Sequence, residues 1–326
     1  MIGIHVFCTT VYQYEQSYSN AELFAAYFLT NVLRMWAVPV FVMISGALFL
    51  NPEKKIPLKK LYSKYILRLV LVLLTFGFLY AMMELVFDAR TFRPSMLLTA
   101  WKNVYSGNLW DHMWFVYMIL GLYMTVPVFQ RLTVSLDDAL LRYFLLLLLS
   151  FACIFPMAQK ASGVKFGVYI PCASIWLFYY FLGYALHFEK IKISEKCAIA
   201  FILLGVLWCI FAQSIPSSRN PYGAGLLFSG TDDIFGVLMS AGIFALAKAK
   251  CAAEKNALDT VINPLSFGVY IIHALFINFF YKALQLTPET FRVPLMWALV
   301  FICTAVFSLT TVWIFRKIPF VRRFIL

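Results

Sequence analysis

Apolar residues run in long blocks along this chain, broken at charge clusters and at Pro and Gly. Ten blocks read as helices, over about 1–12, 24–50, 66–87, 113–129, 143–158, 168–188, 197–213, 233–249, 263–283 and 294–315. Crossing a bilayer takes about 20 helical residues at 1.5 Å each, and nine of these blocks reach or approach that length. The first does not, since twelve residues cover about 18 Å of a core about 30 Å thick. The short alternating segments of a transmembrane barrel do not occur. The pattern predicts an all-α polytopic membrane protein of about ten transmembrane helices, the first cut short. No fixed-period repeat, low-complexity tract or linker interrupts it, so residues 1–326 are expected to form one transmembrane domain.

Composition agrees with the pattern. Of 326 residues 63% are apolar and 13% charged, against roughly half and a quarter in a soluble domain. The net charge of +12 could suggest nucleic acid in a soluble protein, but here the basic residues sit in short loops between apolar spans. The charge therefore reads as topology, and no nucleic-acid partner is implied. With odd spans running outward, one set of loops holds 18 Lys and Arg, from Lys54 to Arg68, Arg131 and Arg142, Lys190 to Lys196, Lys248 to Lys255 and Arg316 to Arg323. The other set holds 8, including Arg219. That bias places both termini in the cytoplasm of a multi-pass cell-membrane protein. It also requires an even number of spans, so the stub at Met1 is expected to be the remainder of a real span. The seven Cys lie within spans or on inner segments, without metal-type spacing and without a disulfide framework.

Ionisable groups at bilayer depth are costly and mark candidate chemistry. His5 lies in the first span, where its imidazole could move a proton or could be a core side chain bonded to a carbonyl. Arg34 opens RMWAVPVFVMISG, about 24 Å from the inner end of the second span. It either lines a functional cavity or snorkels to head groups. Lys60, Lys64 and Arg68 share one helix face at i, i+4 and i+8 where the third span begins. That stripe could hold the phosphates of an anionic donor, although lipid head groups explain Lys54 to Lys60 equally well.

WDHMWFVYMILGLYMTVPVF places Asp111 and His112 at the outer end of the fourth span, beside Trp110 and Trp114. The Trp residues fit an interfacial aromatic belt, whereas an adjacent Asp can fix or charge an imidazole. Neighbouring helical residues point about 100° apart, so Asp111 and His112 are expected to serve different partners. In the ninth span His273 lies about 15 Å from the inner end with Tyr270 on the same face. His187 reads as interfacial. No nucleophile elbow, phosphate-binding glycine loop or HExxH occurs, so substrates are expected to be handled between helices.

Taken in order, His5, VPVFVMISGALFL with Arg34 upstream, the basic start of the third span, HMWFVYMILGLYMTVPVF, FYYFLGYAL, FGVYIIHALF and KIPFVRRFI resemble the integral-membrane acyltransferase family 3. The likeness spans nearly the whole chain. It implies transfer of an acyl group, most often acetyl, from cytoplasmic acyl-CoA (acetyl-CoA) as co-substrate to a hydroxyl of a cell-surface polysaccharide or lipid-linked glycan. No bound cofactor or metal is implied. The family's essential first-span His maps onto His5. Two departures concern donor binding: the basic residue that usually precedes that His by about ten positions has no counterpart here, and of the third-span arginine pair only Arg68 is kept, Tyr65 standing at the other position beside Lys64.

On this reading His5 is a general base, or a carrier of the acyl group. Lys64 and Arg68 bind the donor, and Arg34, Asp111, His112, Trp114, Tyr270 and His273 are acceptor-side or structural polar groups. The outer loops 88–112 and 214–232 are expected to choose the acceptor. Two other classes fit the spans: a transporter or flippase of a glycan precursor, which would favour half-to-half symmetry not seen here, and a membrane scaffold whose polar groups pair helix to helix. No sequence feature sets an oligomeric state.

Overall fold

The computed structural model describes residues 1–214, 230–251, 260 and 262–325. Arg219, Lys255 and most of the loop 214–232 lie outside the described residues. Among the described residues the chain is helical, with no strand. Every apolar block read from the sequence is a helix: α1 (Ile2–Tyr14), α2 (Asn20–Phe49), α3 (Leu58–Ala89), α5 (Asp111–Ser135), α6 (Asp138–Ser162), α7 (Ile175–His187), α8 (Glu195–Ser214), α9 (Ile234–Cys251), α10 (Asn263–Ala283) and α11 (Val293–Phe315). Seven of these, α2, α3, α5, α6, α8, α10 and α11, are long and apolar enough to cross a membrane. The chain is thus a polytopic all-α membrane protein. α1 is a 13-residue helix, and α7, also 13 residues, is shorter than its apolar block, starting only after Pro171 and a Ser174 cap.

Two further helices appear. α4 (Ser95–Ser106) lies in the stretch expected to be a loop. It buries Ala100 and Val104 and exposes Leu98, Trp101 and Tyr105, so its apolar positions do not form the continuous run by which spans are recognised. α12 (Pro319–Phe324) follows α11, with Pro at its first position, where a missing N–H costs nothing.

Local chemistry sets the boundaries. Ser19 and Glu22 form a capping box at the start of α2, Glu22 N donating to Ser19 Oγ at 3.3 Å and Ser19 N donating to Glu22 Oε2 at 2.9 Å. Asp137 caps α6 through Leu140 N at 2.7 Å. Lys248 closes the other end of α7, donating to the carbonyls of Leu186 and His187 at 3.1 and 2.8 Å. Lys248 also hydrogen-bonds the exposed Glu189 and holds its carboxyl below the ordinary range. Among the described residues four π-helical turns interrupt the spans, two in α3 (Leu61–Ile66 and Leu73–Gly77), one in α6 (Ser150–Ile154) and one in α10 (Phe279–Ala283).

The chain divides into two compact units. The first comprises Met1–Lys54, Gln130–Asn256 and Ile277–Thr304. Its centre is α7, in which Leu177 through Leu186 are all buried, as expected of a helix apolar on every side. α2 and α7 approach backbone to backbone: a Cβ on Gly46 would overlap the Tyr180 carbonyl, and one on Gly183 would overlap that of Met43. α8 and α9 pack through Gly205, where a Cβ would lie 2.8 Å from Met239 Cβ, and Gly242. The second unit comprises Lys55–Phe129, Ala257–Phe276 and Ala305–Leu326. In it α4 packs on α3, Phe78 and Trp101 lying 4.5 Å apart, and α12 packs on residues 67–72 of α3.

Candidate active site

In the first unit His5 is half-buried in α1. The helix around it is fixed on several sides. Tyr281 OH donates to the Val6 carbonyl at 2.8 Å, Phe7 meets Trp297 edge to face at 5.3 Å, and Thr10 hydrogen-bonds Tyr18, which stacks on Trp297 at 6.3 Å. Gly3 brings α1 onto both neighbours, its Cβ position lying 2.9 Å from Leu33 of α2 and 3.8 Å from Phe301 of α11. An ionisable ring is thus carried on a short apolar helix held by neighbours on several sides. Arg34, one turn after Thr30 and Asn31 on α2, is half-buried.

The second unit carries the other sequence-derived residues, and it brings three of them together. His112 is 2% exposed and His273 is fully buried. Their rings stand 5.3 Å apart at 73°. His112 Nε2 lies 3.2 Å from the Ile271 carbonyl; since a carbonyl only accepts, this nitrogen carries the hydrogen. The same reasoning puts a hydrogen on His273 Nδ1, which lies 2.6 Å from the Tyr270 carbonyl. Tyr270 OH donates in turn to the His112 carbonyl. Asp111, next in sequence, is exposed, and Trp114 is 43% exposed. Within the short 3-10 turn Asp111–Met113, the two neighbours thus differ in surroundings, one exposed and the other buried.

Tyr80 completes this cluster, although in the sequence it is only a Tyr in an apolar span. Wholly buried, it donates to the Ile271 carbonyl at 2.7 Å, stacks on Trp110 at 4.4 Å and meets His112 edge to face at 5.3 Å. Two donors therefore converge on one carbonyl of α10.

At the other end of α3 the basic residues fall on and beside a π turn, Leu61–Ile66. Lys64 falls inside a π turn, where the angle per residue differs from that of an α-helix, and it lies exposed with its Nζ 5.8 Å from the Tyr65 ring. Such turns recur at functional sites. Arg68 is half-buried, and its Nε has no hydrogen-bond partner among the described residues. Arg316, at the end of α11, acts on it as a like charge. α12, carrying Arg322 and Arg323, packs on the same stretch. Cations held together without described anions between them suit a multiply charged anion.

A half-buried imidazole on an apolar helix in the first unit and a basic cluster in the second are chemistry carried by membrane spans. The family model described as "Acyltransferase domain" matches residues 1–317. The chain belongs to acyltransferase family 3. No curated protein and no solved structure matches this acyltransferase. As a family 3 acyltransferase it is an enzyme that takes an acyl donor and an acceptor, and its multiple apolar helices make it a multi-pass protein of the lipid bilayer.

Proposed function

We propose that this acyltransferase is a single catalytic membrane domain that moves an acyl group, acetyl in the simplest case, from cytoplasmic acyl-CoA to a hydroxyl of a cell-surface polysaccharide or lipid-linked glycan. The observation that carries the reading is His5, an imidazole on an apolar helix fixed by Tyr281, Trp297 and Gly3 in a chain of this family. As general base it takes the proton of the acceptor hydroxyl while that oxygen attacks the thioester carbonyl. The tetrahedral intermediate collapses, the C–S bond breaks, and the imidazolium returns the proton to the departing thiolate. Proton transfer of this kind is worth about 10² to 10⁴ in rate.

Lys64 and Arg68, joined by Arg316, bind the donor's phosphates. The like-charge pressure between the two arginines favours that role, because a polyanion relieves it. This end of α3 then faces the cytoplasm of a cell membrane, consistent with the bias of Lys and Arg among the loops. Asp111, His112, Trp114, Tyr270 and His273, with Tyr80 and Trp110 beside His112, are assigned to the acceptor, as is Arg34 in the first unit. The test is to supply [acetyl-¹⁴C]acetyl-CoA to inside-out and right-side-out vesicles carrying the protein and follow alkali-labile label in glycan. Label that appears only when the cytoplasmic face is exposed to donor supports the reading. Label independent of the face exposed, or none in either preparation, overturns it.

A further inference from the structure

In the first unit α6, α7 and α9 share one end. Asp138, at the start of α6, pairs with Lys190 just beyond α7 at 2.9 Å, and Lys248 in the last turn of α9 donates to the final carbonyls of α7. From that common end α6 runs 25 residues and α9 18, about 37 and 27 Å, whereas the 13 residues of α7 cover only about 20 Å. A hydrocarbon core is about 30 Å thick, so α7 stops about 10 Å short of its far side.

The connection from α6 back to α7, residues 163–174, therefore descends to membrane depth, and it does so without helical structure. Phe166 marks the descent. It stacks on Phe155 at 4.3 Å and lies 6.4 Å from Phe151, side chains about 25 and 20 Å along α6 from Asp138. Residues 163–169, Pro171 and Cys172 are exposed. Among the described residues Val164 N donates to Ser162 Oγ at 3.2 Å and Ala173 N to the Ile170 carbonyl at 3.0 Å, while the N–H groups of 165–170 donate to nothing. Backbone donors are too costly to leave unbonded in hydrocarbon, so irregular backbone at this depth is either buried in protein or bathed by water. This stretch is not buried, which leaves water.

The groups around it are polar and aromatic. Lys160 and Asp232 form an ion pair at 2.8 Å, and Tyr179 OH donates to the Thr231 carbonyl at 2.7 Å, which ties 231–232 to the first turns of α7. Phe166 and Tyr169 present exposed rings and Trp176 a half-buried one. A charge pair that cancels itself favours hydroxyl groups over a polyanion, and flat amphipathic rings suit the faces of sugars.

We propose that residues 163–174 line a water-filled recess, open on the face opposite the Lys190 and Lys248 end, in which an uncharged, hydroxyl-rich part of the acceptor glycan binds; the ligand's role as acceptor rests on the acyl transfer proposed above. In that reading the recess opens to the outside of the cell, and Lys160, Asp232 and Trp176 are its recognition groups.

Cys172 is a native reporter on this stretch. Right-side-out vesicles with labelled acetyl-CoA sealed inside are treated with a trimethylammonium methanethiosulfonate, which stays outside a bilayer and reacts with thiolates in water, forming a mixed disulfide and releasing methanesulfinate. Peptide mass spectrometry reads the site. Cys172 is expected to be modified from this face and not in inside-out vesicles. Modification is expected to lower acetyl transfer to glycan several-fold, with the apparent KM for acetyl-CoA within about twofold. Dithiothreitol is expected to restore transfer, which separates a blocked recess from an unfolded protein, and Cys172→Ser protein is expected to transfer equally with and without the reagent. Cys172 that reacts only with membrane-permeant N-ethylmaleimide lies in lipid and overturns the recess. Complete modification that leaves glycan labelling intact overturns the acceptor's place there and spares the acyl-transfer reading. Untreated vesicles that label no glycan overturn that reading and the acceptor role with it, while the site of modification still tells water from lipid.

Discussion

Gly46 of α2 lies so close to Tyr180 of α7 that a methyl group at position 46 would overlap the Tyr180 carbonyl, and Gly183 reciprocates one turn away against Met43. Close approach of this kind holds membrane helices together, because lipid offers no hydrophobic drive for their association. Gly46→Ala is expected to destabilise the protein by about 1–3 kcal/mol, since the obstacle is backbone and cannot swing aside. Gly121→Ala in α5, where no atom lies within 4 Å of the added carbon, is expected to be neutral or to stabilise by up to about 1 kcal/mol. Thermal unfolding of the two variants in detergent checks the contrast.

Tyr80 and His112 donate to the same carbonyl, that of Ile271. Tyr80→Phe removes one hydrogen bond and is expected to cost about 0.5–1.5 kcal/mol. Because both groups share an acceptor and touch each other, the double variant with His112→Phe is expected to depart from additivity by about 0.5 kcal/mol or more. A double-mutant cycle on unfolding free energy measures this directly.

Arg68 and Arg316 act on the donor through charge in the proposed reaction. Arg316→Ala and Arg68→Ala are expected to raise KM for acetyl-CoA about tenfold or more while leaving KM for S-acetylpantetheine, which lacks the nucleotide phosphates, unchanged. Arg68→Lys is expected to restore only part of the loss, since a point charge replaces a planar fork. An equal effect on both donors would place these arginines elsewhere.

Glu189 gives a pH dependence with a definite sign. The hydrogen bond from Lys248 is the largest cause of its lowered pKa, followed by the charges of Lys248 and Lys192. The stabilisation is therefore present above the ordinary Glu range and is lost as pH falls through the lowered value. The difference in unfolding temperature between wild type and Glu189→Gln is expected to be small near neutrality and to vanish on acidification, which a series of melts across pH reveals.

Much of this architecture is legible in the apolar blocks, because bilayer thickness dictates span length and short loops concentrate charge. The site is legible only where chemistry is conspicuous. His5, Arg68 and His112 stand out because an ionisable group in an apolar run is costly. Tyr80 does not, since an uncharged side chain carries no such mark and only packing shows that it is buried and bonded. The meeting of His112 with Tyr270 and His273 joins residues about 160 positions apart, a distance that periodicity cannot bridge. The π turn at Lys64 shifts a stripe that regular helical spacing had drawn straight.

The proposed reaction turns on removal of the acceptor's proton by His5. Its most direct measurement is acetyl transfer from labelled acetyl-CoA by purified wild-type protein beside His5→Ala and His5→Gln, each first shown to unfold at the wild-type temperature. Both variants are expected to lose at least about 10²-fold in turnover, while acetyl-CoA still binds. Turnover by His5→Ala equal to that of wild type would contradict it.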